Sequence, residues 1–219
     1  MLTLYGAYRS RATRNLWLLG ELAVPFTHIP VIQTYRLADP AATDAPMHTQ
    51  SPGFLAINPA GQIPCIVDDD LMLAESLAIN LYLAQKHGGP LAAKDAGEQA
   101  QMVQWALFGA TQIEPGALEI FYPYAEARAE TPEGAGQVAI AAEKLARPFA
   151  TLNTHLARHG NVVGGRFSVA DINLAEIVRY ASAHAPLLAA NPAVRDWLAT
   201  CQARPAFAAM WAKRTAEPA

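Results

Sequence analysis

The chain has 219 residues, a hydrophobic share of 52% and a formal net charge of −3, a length that accommodates two small domains or one large one. No apolar run approaches the ~18 residues that a membrane span needs, and a mildly acidic balance argues against a nucleic-acid partner. The start lacks the basic-then-apolar pattern of a secretory leader, and the two cysteines, Cys65 and Cys201, form neither a disulfide framework nor a Cys-x-x-Cys pair, so a reducing cytoplasm is the expected location.

In chain order, Leu2-Thr3-Leu4-Tyr5 alternates as a short strand, and Gly6 to Arg9 reads as a loop. Ser10 then stands where an N-cap would, ahead of a helical run from Arg11 to Leu19. Thr27 to Val31 reads as a second strand. The segment from Gln33 to Phe54, rich in Ala, Asp, Pro, Thr and Ser, is long for a connection inside a compact domain, so it is expected to be functional, with His48 and Gln50 able to reach a ligand. The apolar run after Pro64 reads as a buried strand. A proline leading into a strand cannot donate to the ladder and is expected in a turn or a cis peptide. Leu71 to Ala74 supplies a fourth strand, and Glu75-Ser76 opens a helix over 77–86. Such a helix start, with a hydroxyl and free backbone N–H groups, attracts anions. The helix itself is apolar almost all round, which implies burial on two sides.

Gly88-Gly89-Pro90 punctuates a linker over 87–96, after which strand signals give way to helical patterns over 97–219. A long helix begins near Gly97 and carries Trp105, Phe108 and Ile113, with Pro115-Gly116 bending or interrupting it. A second runs from about Pro132 to His159. Ser168-x-x-Asp171 is a capping box at a helix start, its two members worth roughly 1 kcal/mol each. His155 and His159 share the i, i+4 spacing of a metal pair, but no third ligand is visible, and a helix C-terminus favouring cations explains them. A Gly-x-Ser-x-Gly hydrolase elbow is absent from the sequence, and no metal is expected.

The order Gly61-Gln62-Ile63-Pro64, strand, turn, strand, Glu75-Ser76, helix closely resembles the glutathione-binding half of the cytosolic glutathione transferase family. The spacing Ser10-x-x-x-Arg14 before an apolar helix resembles its serine-type members, theta-like and bacterial. The resemblance implies a thioredoxin-like α/β domain over 1–86 followed by an all-α domain. It assigns the backbone of Ile63, next to Gln62, to the cysteinyl backbone of glutathione, Glu75 and Ser76 to the γ-glutamyl end, and Ser10 to the sulfur, with Tyr5 as the alternative donor. Tyr8, Trp105, Phe108 and Trp211 are the expected second-substrate pocket by family position. It also implies a two-fold dimer through the helices at 77–86 and 97–114, with Glu98, Gln99 and Met102 as candidate contacts. Glutathione is then a co-substrate, a small electrophile the other partner, and no further cofactor is called for. A glutathione-dependent isomerase or dehalogenase, or a non-catalytic module that kept the fold, are the alternatives.

Elementary chemistry sets what the site must do. A free thiol titrates near 8.5, so only about 3% is thiolate at pH 7, and a shift of roughly two units raises that to about three quarters for ~2.7 kcal/mol. A hydrogen bond to a charged acceptor contributes ~1.5 to 3 kcal/mol, and a helix N-terminus adds ~0.3 to 1. Arg9, Arg11 and Arg14 cluster by the proposed site and add a local field favouring an anion.

Overall fold

A computed structural model describes residues 1–218, which divide into two compact units: 1–87 with the chain from Pro205 on, and 88–204. The first unit is a mixed four-stranded sheet in the order β2-β1-β3-β4. Strand β1 (Leu2–Tyr5) lies parallel to β2 (Thr27–Ile29) and antiparallel to β3 (Cys65–Asp68), which pairs in turn with β4 (Leu71–Ala74). Helices α1 (Thr13–Leu22) and α3 (Ser76–His87) pack together in this unit, with Leu4, Leu16, Leu18, Ile66, Ile79 and Leu83 buried. A separate cluster of Val31, Phe54 and Cys65 is bordered by Tyr5 and Ile63, Phe54 lying in the one-turn helix α2 (Pro52–Leu55). Burial pushes the Cys65 thiol up to about 11, so it remains a neutral core side chain at physiological pH.

The long segment after Ile32 is tied down by its own polar groups. His48 is buried, its Nδ1 meeting the Thr34 hydroxyl at 3.1 Å and its Nε2 the Pro40 carbonyl at 3.1 Å. A ring so held is a loop anchor, so the expectation that His48 reaches a ligand fails.

The last helix, α10 (Pro205–Ala216), belongs to the first unit and not to the helical one. It lies on α1, where Ala206 approaches Gly20 so closely that a Cβ there would sit 3.3 Å from the alanine methyl. Trp17 meets Phe207 edge-on at 4.9 Å. Nothing local in the sequence announces this return, because the partners lie some 190 positions apart.

The second unit is helical. α4 (Ala96–Phe108) runs through a π-helical turn at Gly109–Ile113 into α5 (Glu114–Ala125), so the helix expected to bend at Pro115 changes its hydrogen-bond pattern in the turn before it. α6 (Pro132–His159) is followed by α7 (Val169–Val178), a short α8 (Ala185–Ala189) and α9 (Pro192–Gln202). The capping box at the head of α7 is present, and Asp171 does far more than cap: it accepts from Ser168 N at 2.9 Å, Val162 N at 3.0 Å and Trp197 Nε1 at 2.9 Å. Among the described residues no helix is long and apolar enough to cross a membrane.

Residues 88–92 form no free linker. Arg166 donates to the carbonyls of Pro90 and Ala92 and forks onto both oxygens of Glu98, at 2.9 and 2.6 Å. Arg166 holds the Glu98 carboxyl at about 2, well below its ordinary 4.5. A depressed carboxylate contributes stability that is complete above 4.5 and is lost as pH falls through about 2. We therefore expect Glu98→Gln to flatten the acid limb of the thermal-stability profile over that window, and more weakly at high salt. An unchanged acid limb contradicts the pairing.

Candidate functional site

Three segments of the first unit converge. The turn of residues 8–12 carries Ser10, the Ile63–Pro64 bond is cis, and Glu75-Ser76 stands at the head of α3. Gly6 lets the first two meet: a Cβ on it would lie 2.9 Å from Ala12 Cβ and 3.6 Å from Pro64 Cβ. The third is reached through α1. Arg14 Nη1 donates to Ser76 Oγ at 3.0 Å, Asn15 Nδ2 donates to the Ser76 carbonyl at 2.9 Å and to Asn80 Oδ1 at 2.7 Å, and Asn80 returns a bond to the Arg14 carbonyl at 3.1 Å.

Ser10 is not the N-cap of α1, which starts at Thr13 after a turn. Its hydroxyl accepts from Ala12 N at 3.0 Å and donates to the Ala7 carbonyl at 2.6 Å. The hydroxyl proton can rotate, and the amide that donates to Oγ makes the group a better donor. Tyr5 has its ring at the Val31, Phe54 and Cys65 cluster, tilted against Phe54 at 6.3 Å.

Ser76 is buried and is the first residue of α3, while Glu75 supplies the carbonyl that Ile79 N bonds at 2.9 Å. Glu75, not Ser76, thus holds the N-cap position, and it does so at φ 67°. A cap residue adopts the extended region; a glutamate in the left-handed region is strained by ~1 to 3 kcal/mol, which is typical of ligand clamps. The consequence is geometric. The Ser76 hydroxyl accepts the Arg14 proton, which leaves its own proton for an anion beside the first N–H groups of α3.

Ile63 is half-buried, and among the described residues its main-chain N–H and C=O carry no hydrogen bond to another residue. An extended peptide requires such an edge. Gln62 and Gln50 are exposed; the carbonyl of Gln62 takes a bond from Asn58 Nδ2 at 2.8 Å, which fixes the approach to Pro64.

The four aromatics expected at a second-substrate pocket fall in two units. Tyr8 stands edge-on to His28 at 5.3 Å, and Trp211 stacks on Phe207 at 5.5 Å, both in the first unit. In the second, Trp105 is buried against Phe108 at 5.2 Å and His155 at 4.6 Å. Trp105 borders a cavity of about 310 Å³ with Gln101, Gln104 and His159, and Phe108 borders another of about 680 Å³ with Thr111, Glu119 and Arg147. His155 meets the Val162 carbonyl through Nε2 at 2.8 Å, a bond incompatible with a metal on that nitrogen.

Sequence reasoning gives Arg14 only a share in the local field and does not mark Asn15 or Asn80. A signal for all three exists: an arginine and two amides interrupt otherwise apolar helices, and Asn80 lies one turn beyond Ser76.

Known proteins resemble this chain over most of its length. The model for the glutathione S-transferase N-terminal domain matches residues 4–91, and that for the glutathione S-transferase C-terminal domain matches 125–200. The chain is 34% identical over 213 residues to glutathione S-transferase 3 of Zea mays, covering 94% of this chain and 91% of that one. Among solved structures, glutathione S-transferase III in its apo form superposes with a TM-score of 0.77 at 33% identity, over 100% of this chain and 99% of that one. The theta class enzyme of Xanthomonas axonopodis pv. citri, with glutathione bound, gives 0.74 at 26% identity over 94% of each chain.

Proposed function

The chain belongs to the glutathione S-transferase family and is a glutathione transferase, and from that premise we propose how its residues divide the work. Ser10 donates to the sulfur and holds it as thiolate. Ile63 pairs with the cysteinyl backbone, Glu75 takes the ammonium and Ser76 the carboxylate of the γ-glutamyl end, and Gln50 and Gln62 border the same channel. The observation that carries this reading is the strained Glu75 preceding a Ser76 whose hydroxyl accepts from the buried Arg14 guanidinium and so keeps its own proton to donate. A helix cap alone explains neither feature. Tyr5 is set aside as the donor because its ring packs at the Phe54 cluster.

The reaction is attack of the thiolate on a small hydrophobic electrophile. Tyr8 and Trp211, both in the first unit, remain the proposed contacts for it, while buried Trp105 contributes packing in the second. The serine-type assignment rests on Ser10. A theta-like, bacterial placing has the Xanthomonas structure in its favour, whereas the higher identity to the Zea mays protein weighs toward the plant enzymes. Cytoplasmic location is proposed on the same footing. Retention on immobilised glutathione, followed by a panel of aryl halides, epoxides and haloalkanes with and without glutathione, tests the activity. Turnover of none of them, by a chain that does not bind glutathione, overturns it.

Glu75→Ala and Ser76→Ala are expected to weaken glutathione binding by ~1.5 to 3 kcal/mol, one lost charged hydrogen bond each. Both act away from the sulfur, so turnover at saturating glutathione changes little. Calorimetry reads the difference, and wild-type affinity in both variants reduces the segment to a helix cap.

We also propose a homodimer. Leu71 and Met72 are each 40% exposed on edge strand β4, and Leu107 is 60% exposed on α4, apolar area of the kind that a symmetric interface covers. Of the contacts expected from sequence, Met102 is buried and Glu98 is held by Arg166, which leaves Gln99. Sedimentation at micromolar concentration is expected to show two chains per particle; a fully active monomer contradicts this.

A further inference from the structure

The turn that carries Ser10 is held from outside by the end of the chain. Glu217, half-buried just past α10, spans two consecutive backbone amides with its two carboxylate oxygens: Tyr8 N at 2.8 Å and Arg9 N at 2.6 Å. The Arg9 side chain answers with Nε on the Glu217 carbonyl at 2.9 Å. Further contacts fix both partners of this clamp. Gln33 Nε2 donates to the Arg9 carbonyl at 3.1 Å, Arg36 donates to Gln33 and to the Pro218 carbonyl, and Lys213 Nζ lies 6.0 Å over the Tyr8 ring. A carboxylate bonded to two amides makes charge-assisted bonds roughly twice as strong as neutral ones. Residues 8 and 9 immediately precede Ser10, and among the described residues the Ser10 hydroxyl is held by the Ala7 carbonyl and the Ala12 amide.

We propose that Glu217 is a positioning residue for the transferase reaction: by clamping the amides of Tyr8 and Arg9 it sets the direction in which Ser10 presents its hydroxyl. The proposal rests on Ser10 as the donor to the thiolate. It assigns function to Glu217, which among the described residues has no hydrogen bond to Ile63, Glu75 or Ser76. Misplacing a group by about 1 Å can cost a hundredfold in rate, but misplacing Ser10 cannot cost more than deleting it, so the loss in Ser10→Ala is the ceiling.

The test compares Glu217→Ala, Glu217→Gln and Ser10→Ala with wild type, using glutathione and chlorodinitrobenzene, together with amide hydrogen exchange. Glu217→Ala is expected to lower kcat at saturating glutathione by roughly three- to tenfold, below the loss in Ser10→Ala, with the KM for glutathione within about twofold. Exchange across residues 6–12 should quicken while α6 is unaffected. Glu217→Gln, which keeps one acceptor oxygen, should fall between. The idea is overturned if Ser10→Ala loses activity while Glu217→Ala keeps wild-type kcat, an outcome that leaves the Ser10 assignment standing. It is equally overturned if KM and the thermal midpoint move and kcat does not, since that is the mark of a merely structural contact. Wild-type activity in Ser10→Ala removes the Ser10 assignment, and the role of Glu217 with it.

Discussion

Asp171→Ala is expected to unfold the helical unit or leave it marginal, with a loss of roughly 3 to 9 kcal/mol. The capping-box arithmetic gives roughly 1 kcal/mol for such a residue, but it counts only the bond to Ser168. In the structure the carboxylate is buried and also takes Val162 N and Trp197 Nε1. Removing it orphans three buried donors at ~1 to 3 kcal/mol each, against a total stability of about 5–15 kcal/mol for an ordinary domain. Ser168→Ala, by contrast, should cost only ~1 kcal/mol. Urea midpoints of the two variants measured side by side decide between a cap and a hub; equal shifts contradict the hub.

Ser10→Ala is expected to lower turnover at neutral pH by roughly five- to thirtyfold while leaving glutathione affinity within a few-fold. The magnitude follows from what the hydroxyl exchanges. It gives up a neutral bond to the Ala7 carbonyl, worth about 0.5 to 1.5 kcal/mol, for one to a thiolate, worth about 1.5 to 3. The balance of ~1 to 2 kcal/mol is about one pKa unit, smaller than the full shift of two units, so the head of α1, which starts at Thr13 just past Ser10, and the arginines must supply the remainder. Steady-state kinetics at saturating glutathione reads the effect, and a variant within twofold of wild type excludes Ser10.

Much of the fold and of the site is legible in the residues alone, for physical reasons. Proline before an apolar run, Glu-Ser before a helix and Ser-x-x-Asp are local motifs whose partners lie within a few residues, and Ile63–Pro64, Glu75-Ser76 and the capping box stand where the sequence puts them. The errors are of register and reach. The sequence pattern points to Ser10 as the cap of α1, yet Ala12 is the residue that precedes the helix, because a turn of two further residues intervenes. It points to Ser76 for the cap that Glu75 supplies, since no sequence signal marks a positive φ at a glutamate. Asp171 reads as a cap because Trp197 is 26 residues away, and the tie from Arg166 to Pro90 spans 76. Glu217 and α10 are the extreme case: two amides on the Ser10 turn are met 209 and 208 residues later, and a backbone donor has no sequence signature at all.

The central claim, that this fold holds the glutathione sulfur as an anion through Ser10, is tested most directly by ultraviolet titration of the bound thiolate in wild type and Ser10→Ala. The bound thiol is expected to titrate well below the free value of ~8.5 in wild type, and about one unit higher in the variant. A thiol that titrates at its free value on the wild-type chain, or identically on both, contradicts the claim.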